Sequence, residues 1–371
     1  MGIGAGDVIR LPDGQGDGLF RIDQVEHTDR LAIDAVRIDP AVYEPQDVTE
    51  KTFSLRSFVP AVPVELMLMD LPLLKGDENP VAPHVAAASV PWPGTVALYS
   101  SSQDAGYGLN TLITGASVIG MTETALHSAS QGLFDRGPAL RVRLIRGDLQ
   151  SVTEAQLLNG ANTAVIGDGS ADNWEVFQFA QADLVDQNTY DLRLRLRGQA
   201  GSDGTMPPEW PEGSIVVLLD AGVQQMTLSP SARGVTQHFR YGPGTRPLSD
   251  PSYAYRAEAF AGIGLRPYRV AHLQAEDTGG DLSVAWIRRT RLDGDPWGTE
   301  EVPLAEAFER YRLRVFNGTT LLREVQTTAP EWNYPAALQA QDGAGAGTRI
   351  EVSQISETFG EGPAKSIVLA A

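Results

Sequence analysis

The five histidines, His27, His84, His127, His238 and His272, are the side chains best suited to metal ligation or proton transfer. No two stand at the spacing of an HxxxH ligand pair, so each reads as a surface or core histidine. Oxygen ligands come next. Asp13-Gly14-Gln15-Gly16-Asp17-Gly18 and Asp293-Gly294-Asp295 offer carboxylates to calcium, yet neither has the EF-hand spacing. Asp-Gly is also a favoured hairpin-turn pair, and the turn is the preferred reading. A carboxylate pair for glycosidic cleavage cannot be picked out among 47 acids, because the separation it needs is spatial.

Nucleophile and phosphate motifs are missing. There is no Gly-x-Ser-x-Gly and no Gly-x-x-x-x-Gly-Lys-Ser/Thr, and the glycines at 2, 4 and 6 or at 343, 345 and 347 miss the dinucleotide fingerprint. The absence of cysteine removes disulfides, thiolate metal sites and cysteine nucleophiles together. The chain is therefore expected to be non-catalytic, with no metal and no cofactor.

Binding residues are easier to nominate. Trp92, Trp210, Trp297 and Trp332 lie beside prolines or acids in loops, unlike Trp286 in its strand. Aromatic rings stack on sugars and anchor interfaces, so these four are the candidate surface contacts for an envelope glycan or receptor. The competing reading is that they plug the ends of β-sandwiches. Arg193, Arg195 and Arg197 share one side of a strand by period two, facing either an acidic neighbouring subunit or solvent. Asn317-Gly318-Thr319 matches a glycosylation sequon but reads better as a hairpin turn.

These residues must be positioned by strands. Glycine (38) and proline (24) make up about one residue in six, as many short strands joined by tight turns require. A length of 371 residues suggests two or three domains. The net charge of −18, with 29 basic residues against 47 acidic, argues against direct nucleic-acid binding. No signal peptide is recognisable, and no apolar run approaches a membrane span. The chain opens directly on a strand pattern, as a C-terminal fragment of a longer protein would.

Residues 1–58 alternate in the strand period: Gly6-Asp7-Val8-Ile9-Arg10-Leu11 pairs with Phe20-Arg21-Ile22-Asp23, and Asp39-Pro40 stops the ladder. Prolines cluster over residues 60–95, around the buried strand centred on Leu66-Met67-Leu68. Residues 59–262 form the central β region, with strands expected at 95–99, 139–145, 164–166, 174–179, 190–196 and 215–219. A helical turn or two is expected at Thr153-Glu154-Ala155-Gln156-Leu157-Leu158, ended by Asn159-Gly160. Over residues 263–371, alternation of Leu282, Val284 and Trp286, then of Tyr311, Leu313 and Val315, predicts a β-sandwich with Trp286 inside. No repeat of 20–50 residues is visible, which disfavours a solenoid or propeller.

Three stretches resemble the C-terminal portion of the large tail-tip ("megatron") proteins of gene transfer agents and related siphophages. The segment from Gly6-Asp7-Val8-Ile9 to Tyr43-Glu44 resembles the end of a phage-tail hub domain. The second stretch runs from Asn162-Thr163-Ala164-Val165-Ile166-Gly167 through Trp174-Glu175-Val176-Phe177-Gln178-Phe179. It ends in Leu192-Arg193-Leu194-Arg195-Leu196-Arg197-Gly198-Gln199-Ala200-Gly201, with Ser202 where the family usually has Thr. The most specific stretch is Gly280-Asp281-Leu282-Ser283-Val284-Ala285-Trp286-Ile287-Arg288-Arg289-Thr290-Arg291, followed by Trp297, Val302-Pro303-Leu304 and Glu309-Arg310-Tyr311. It is similar to the family's fibronectin type III-like module.

The resemblance implies an all-β, multidomain structural component of a tail tip or baseplate, ending in a fibronectin type III-like sandwich. Its implied partners are the hub and distal tail proteins and two further copies of itself in a trimer, with host envelope glycans or a receptor outside. Its implied location is the tail tip of a virion-like particle assembled in the bacterial cytoplasm. Glycoside-hydrolase-like barrels found in some relatives would lie upstream, so no catalytic residue is carried over. The alternative is an envelope polysaccharide-binding module or a glycoside hydrolase.

Overall fold

The computed structural model describes residues 2–11, 18–43, 62–292 and 302–370. The chain forms two compact units, Met1–Val59 and Pro60–Ala371. Among the described residues only two α-helices occur, of 5 and 7 residues, and no helix is long and apolar enough to cross a membrane.

In the first unit β1 (Val8–Leu11), β2 (Gly18–His27) and β3 (Leu31–Ile38) form an antiparallel meander in that order. Val8 pairs with Arg21 and Ile9 with Phe20, as the alternation predicts. Ile22 is its buried centre, and a register shift between Ile22 and Gln24 marks a bulge. The ladder ends at Asp39, whose carboxylate accepts the Ala41 N–H at 3.0 Å. Asp13 and Asp17 lie outside the described residues, as do Asp293, Asp295 and Trp297.

The second unit begins with β4 (Glu65–Met69), β5 (His84–Ala88), β6 (Val96–Ser101) and β7 (Gly108–Ile113). Next come β8 (Ile119–Thr122), β9 (Leu126–His127), β10 (Phe134–Asp135), β11 (Leu140–Leu144), α1 (Glu154–Leu158) and β12 (Thr163–Gly167). The long hairpin of β13 (Trp174–Asp186) and β14 (Thr189–Gln199) is followed by β15 (Glu209–Trp210), β16 (Ile215–Leu218) and β17 (Gln224–Gln225). Last are β18 (Gln237–Pro243) and β19 (Ala254–Glu258).

Six of these strands close a barrel in the order β14-β11-β8-β16-β12-β13, with β13 pairing back onto β14, all antiparallel. Closure leaves the barrel no free edge, which local strand patterning does not announce. One face of its strands packs Leu140, Val142, Ile166, Phe177, Phe179, Leu192 and Val216 together. Alternate residues Ile119, Val165, Val176 and Val217 pack against Met69, Leu71, Ala86 and Ala88 instead. Strands buried on both faces read as nearly continuous apolar runs, which is why they were visible in the sequence. Thr153 and Gln156 form a capping box on α1, so the short helix starts and stops where its sequence requires. Beside the barrel lies a four-stranded sheet in the order β19-β18-β6-β7.

The C-terminal part contains β20 (Ala271–Asp277), β21 (Leu282–Ile287), β22 (Tyr311–Asn317), β23 (Thr320–Thr327), β24 (Glu331–Tyr334), α2 (Ala336–Asp342), β25 (Arg349–Ser356), β26 (Gly360–Glu361) and β27 (Lys365–Val368). Sheet β20-β21-β24 and sheet β23-β22-β25-β27 share one core of Val284, Trp286, Tyr311, Leu313, Val315, Tyr334, Ile350 and Val352. This is the expected sandwich. Trp286 meets Tyr311 edge-on at 5.0 Å and 73°. Gly318 turns the β22–β23 hairpin with φ 58°, so the sequon occupies a tight turn.

Candidate functional site

The arginine-rich strand β14 behaves differently from its period-two reading. Leu194 takes a left-handed backbone, φ 53°, which breaks the alternation. Arg193 stays outside, its side chain 47% exposed near Asp183 and Asp191, whereas Arg195 and Arg197 turn into the protein and are buried. Neither an acidic neighbour nor a solvated face accounts for those two. Their partners lie within the chain.

Arg197 grips Glu175 with two parallel hydrogen bonds, Nε to Oε1 at 2.7 Å and Nη2 to Oε2 at 2.8 Å. Its Nη1 donates to the His127 carbonyl at 2.7 Å. Glu175 also accepts from the Gly198 N–H at 3.1 Å and from the Trp210 indole at 2.7 Å. Arg195 reaches Asp135 through Nε at 3.0 Å and Nη2 at 2.9 Å. Burial acts to raise the Asp135 pKa, but the Gly137 N–H and both guanidiniums hold it below its ordinary value. Burial lowers the Arg195 pKa, with Asp135 opposing. Two buried guanidiniums are thus each matched by a carboxylate, the condition under which buried charge is tolerated.

The glycine element after Arg197 continues this network toward the C-terminal sandwich. A Cβ on Gly198 would sit 2.6 Å from Asp203 Cβ, and one on Gly201, at φ 76°, would sit 2.2 Å from the Tyr268 ring. Both close approaches need glycine. Ser202 is fully buried; its hydroxyl accepts the Val176 N–H at 2.9 Å and donates to the Gln199 carbonyl at 2.7 Å. Asp203 then accepts from Arg269 at 3.0 Å and from Arg289 at 2.9 Å, and Arg289 lies over the Tyr268 ring at 5.1 Å. The motif is a clamp that fastens the barrel to the sandwich. A second tie is Asp70, which accepts the Gly262 and Ile263 N–H groups, each at 2.8 Å, at the entry to the C-terminal part.

The nominated tryptophans separate. Trp210 is 2% exposed in the barrel core with its N–H on Glu175, so it is no surface contact. An indole that can satisfy its N–H inside is more stable buried than in a loop. Trp92 is half-buried against the core of the four-stranded region, its N–H on the Gly94 carbonyl at 3.1 Å. Trp332 is half-buried and stacks on Tyr334 at 4.7 Å. The three nominated tryptophans that are described pack in separate cores, and Trp297 lies outside the described residues. Among the described residues no group of three or more acids and histidines is arranged to hold a metal ion. A cleft of about 900 Å³ opens beside the clamp, lined by Lys75, Gln178, Gln199, Tyr268, Arg289 and Arg291. Arg289 and Arg291 are already committed to Asp203 and Glu306.

Residues 117–217 match the family model described as "Rcc01698-like, C-terminal", little more than a quarter of the chain. That span contains the six barrel strands but for the last residue of β16, with Asp135, Glu175, Arg195, Arg197 and Trp210. No curated protein matches the chain. Among solved structures, the rat CD45 extracellular region, domains d3-d4, aligns at 11% identity over 32% of this chain with a TM-score of 0.21. The alignment spans 55% of that chain, and a superposition so loose carries no structural or functional argument.

Proposed function

We propose that this chain is a non-catalytic structural part of a phage-like tail tip of the gene-transfer-agent kind, holding its β-domains in place for attachment to and penetration of a recipient envelope. The observation that carries this reading is the Rcc01698-like match over the barrel, a family name associated with gene transfer agents. The buried charged side chains of the matched region, Asp135, Glu175, Arg195 and Arg197, are spent on internal clamps, as suits a part that transmits position rather than turns over substrate. On this reading its neighbours are hub and distal tail proteins, and three copies surround the tail axis.

The test is the composition of released particles. Particles purified by density gradient and digested for mass spectrometry should yield peptides from this chain in constant ratio to the major tail protein. Recovery of the chain solely from the soluble cell fraction would overturn the proposal.

A further inference from the structure

One face of the β19-β18-β6-β7 sheet packs Phe239 and Leu98 into the core. By strand alternation the other face carries a cross-strand row. Arg240 lies opposite Tyr255 on one side and Tyr99 on the other, and Tyr99 lies opposite Leu109. Tyr255 and Leu109 are exposed, at 47% and 54%. His238, two residues from Arg240, stacks on Tyr255 at 6.0 Å and bonds its hydroxyl through Nδ1 at 2.8 Å. Tyr107, from the loop before β7, lies under the Arg240 guanidinium at 5.4 Å and donates to Asp104. Arg240 Nη2 stands 3.5 Å from Asp104, while its Nε is buried and cannot meet a ligand.

We infer that this face binds an extended polysaccharide of the cell surface. A sugar ring has an apolar C–H face, which stacks on aromatic rings, and an equatorial rim of hydroxyls, which needs donors and acceptors beside those rings. Tyr255, Tyr99 and Tyr107 supply rings. Arg240, its side chain 38% exposed, supplies terminal guanidinium N–H donors beside those it shares with Tyr107 and Asp104, and the exposed Asp104 carboxylate supplies an acceptor. Tyr255 and Tyr99 stand two strand spacings apart, about 10 Å, the reach of alternate sugars along an extended glycan. A nucleic acid fits poorly: the row holds one arginine, already beside an acid, on a chain of net charge −18. The apolar part of the row is too broken by polar groups for a protein-docking patch. None of Trp92, Trp210 and Trp332 takes part.

The choice of a bacterial cell-surface polysaccharide rests on the tail-tip reading, but the two fail separately: a negative array leaves the particle composition unchanged, and absence from particles leaves binding by the purified chain unchanged. The full chain is applied to an array of immobilised bacterial polysaccharides comprising capsules, lipopolysaccharide O-chains and peptidoglycan fragments, and each hit is titrated in solution. At least one polysaccharide should bind saturably. Tyr255→Ala and Arg240→Gln should each weaken it about tenfold or more, as loss of one stacking platform does. Tyr255→Phe, which keeps the ring, should bind nearly as well as the parent. Leu184→Ser, on an exposed part of β13, should bind unchanged. Absence of binding across the array, or binding equal in the parent, Tyr255→Ala and Arg240→Gln proteins when all three melt alike, overturns the inference.

Discussion

Arg197 and Glu175 face each other as a two-pronged ion pair with no exposure to solvent on either side chain. Every remaining acceptor position of Glu175 that the fold reaches is used, by the Gly198 N–H and the Trp210 indole. Such a pair adds little over an apolar replacement of the same shape. Removing one half is a different matter, because the other charge stays buried and unmatched.

Glu175→Gln is therefore expected to cost about 3–5 kcal/mol of stability, measured by chemical denaturation. A Glu175→Leu, Arg197→Met double variant should recover most of that loss. A single-variant cost below about 1 kcal/mol would show that water reaches the pair and screens it.

Gly201 tests the clamp between barrel and sandwich. In Gly201→Ala the new methyl meets the Tyr268 ring and the residue must keep φ 76°, so the contact has to open. A loss of about 1–3 kcal/mol is expected. Hydrogen exchange should rise first at residues 263–292, while β12–β14 stay protected. Uniform loss across both regions would contradict a local clamp.

His84 and Asp70 give the fold opposing responses to acid. Burial lowers the His84 pKa to about 4, with Glu78 opposing and Lys75 assisting. It stays neutral in the fold, and the stability it contributes is complete above the free value of 6.5 and lost as pH falls toward 4. Burial raises the Asp70 pKa to about 6 against the Gly262 and Ile263 N–H bonds and Arg266. Protonation from about pH 6 down to its free value of 3.8 therefore favours the folded state. The two offset each other between about pH 6 and 4. His84→Gln should remove the acid loss, leaving a variant whose stability holds or rises from pH 7 to 4.5 relative to the parent. A parallel decline in both proteins would show that His84 is not the group responsible.

The strands were legible because β12, β16 and the start of β13 are apolar on both faces, β11 alternates leucine or valine with arginine, and the alternation of Val284 with Trp286 and of Tyr311 with Leu313 marked the sandwich core. Barrel closure was not, since it depends on β13 pairing both forward and back. Trp210 misled because a residue flanked by prolines and acids looks like a loop tip, while its true partner, Glu175, lies 35 positions away. The arginines misled through a single dihedral at Leu194, a residue that rarely adopts positive φ. The tyrosine row was hidden because its members come from four strands and one loop, and only the register brings them together.

Where the chain sits in a released particle is read most directly with gold-labelled antibody against residues 263–371 under the electron microscope. Label should be confined to the end of the tail remote from the head. Particles without label, with the antigen still soluble inside the cells, would contradict it.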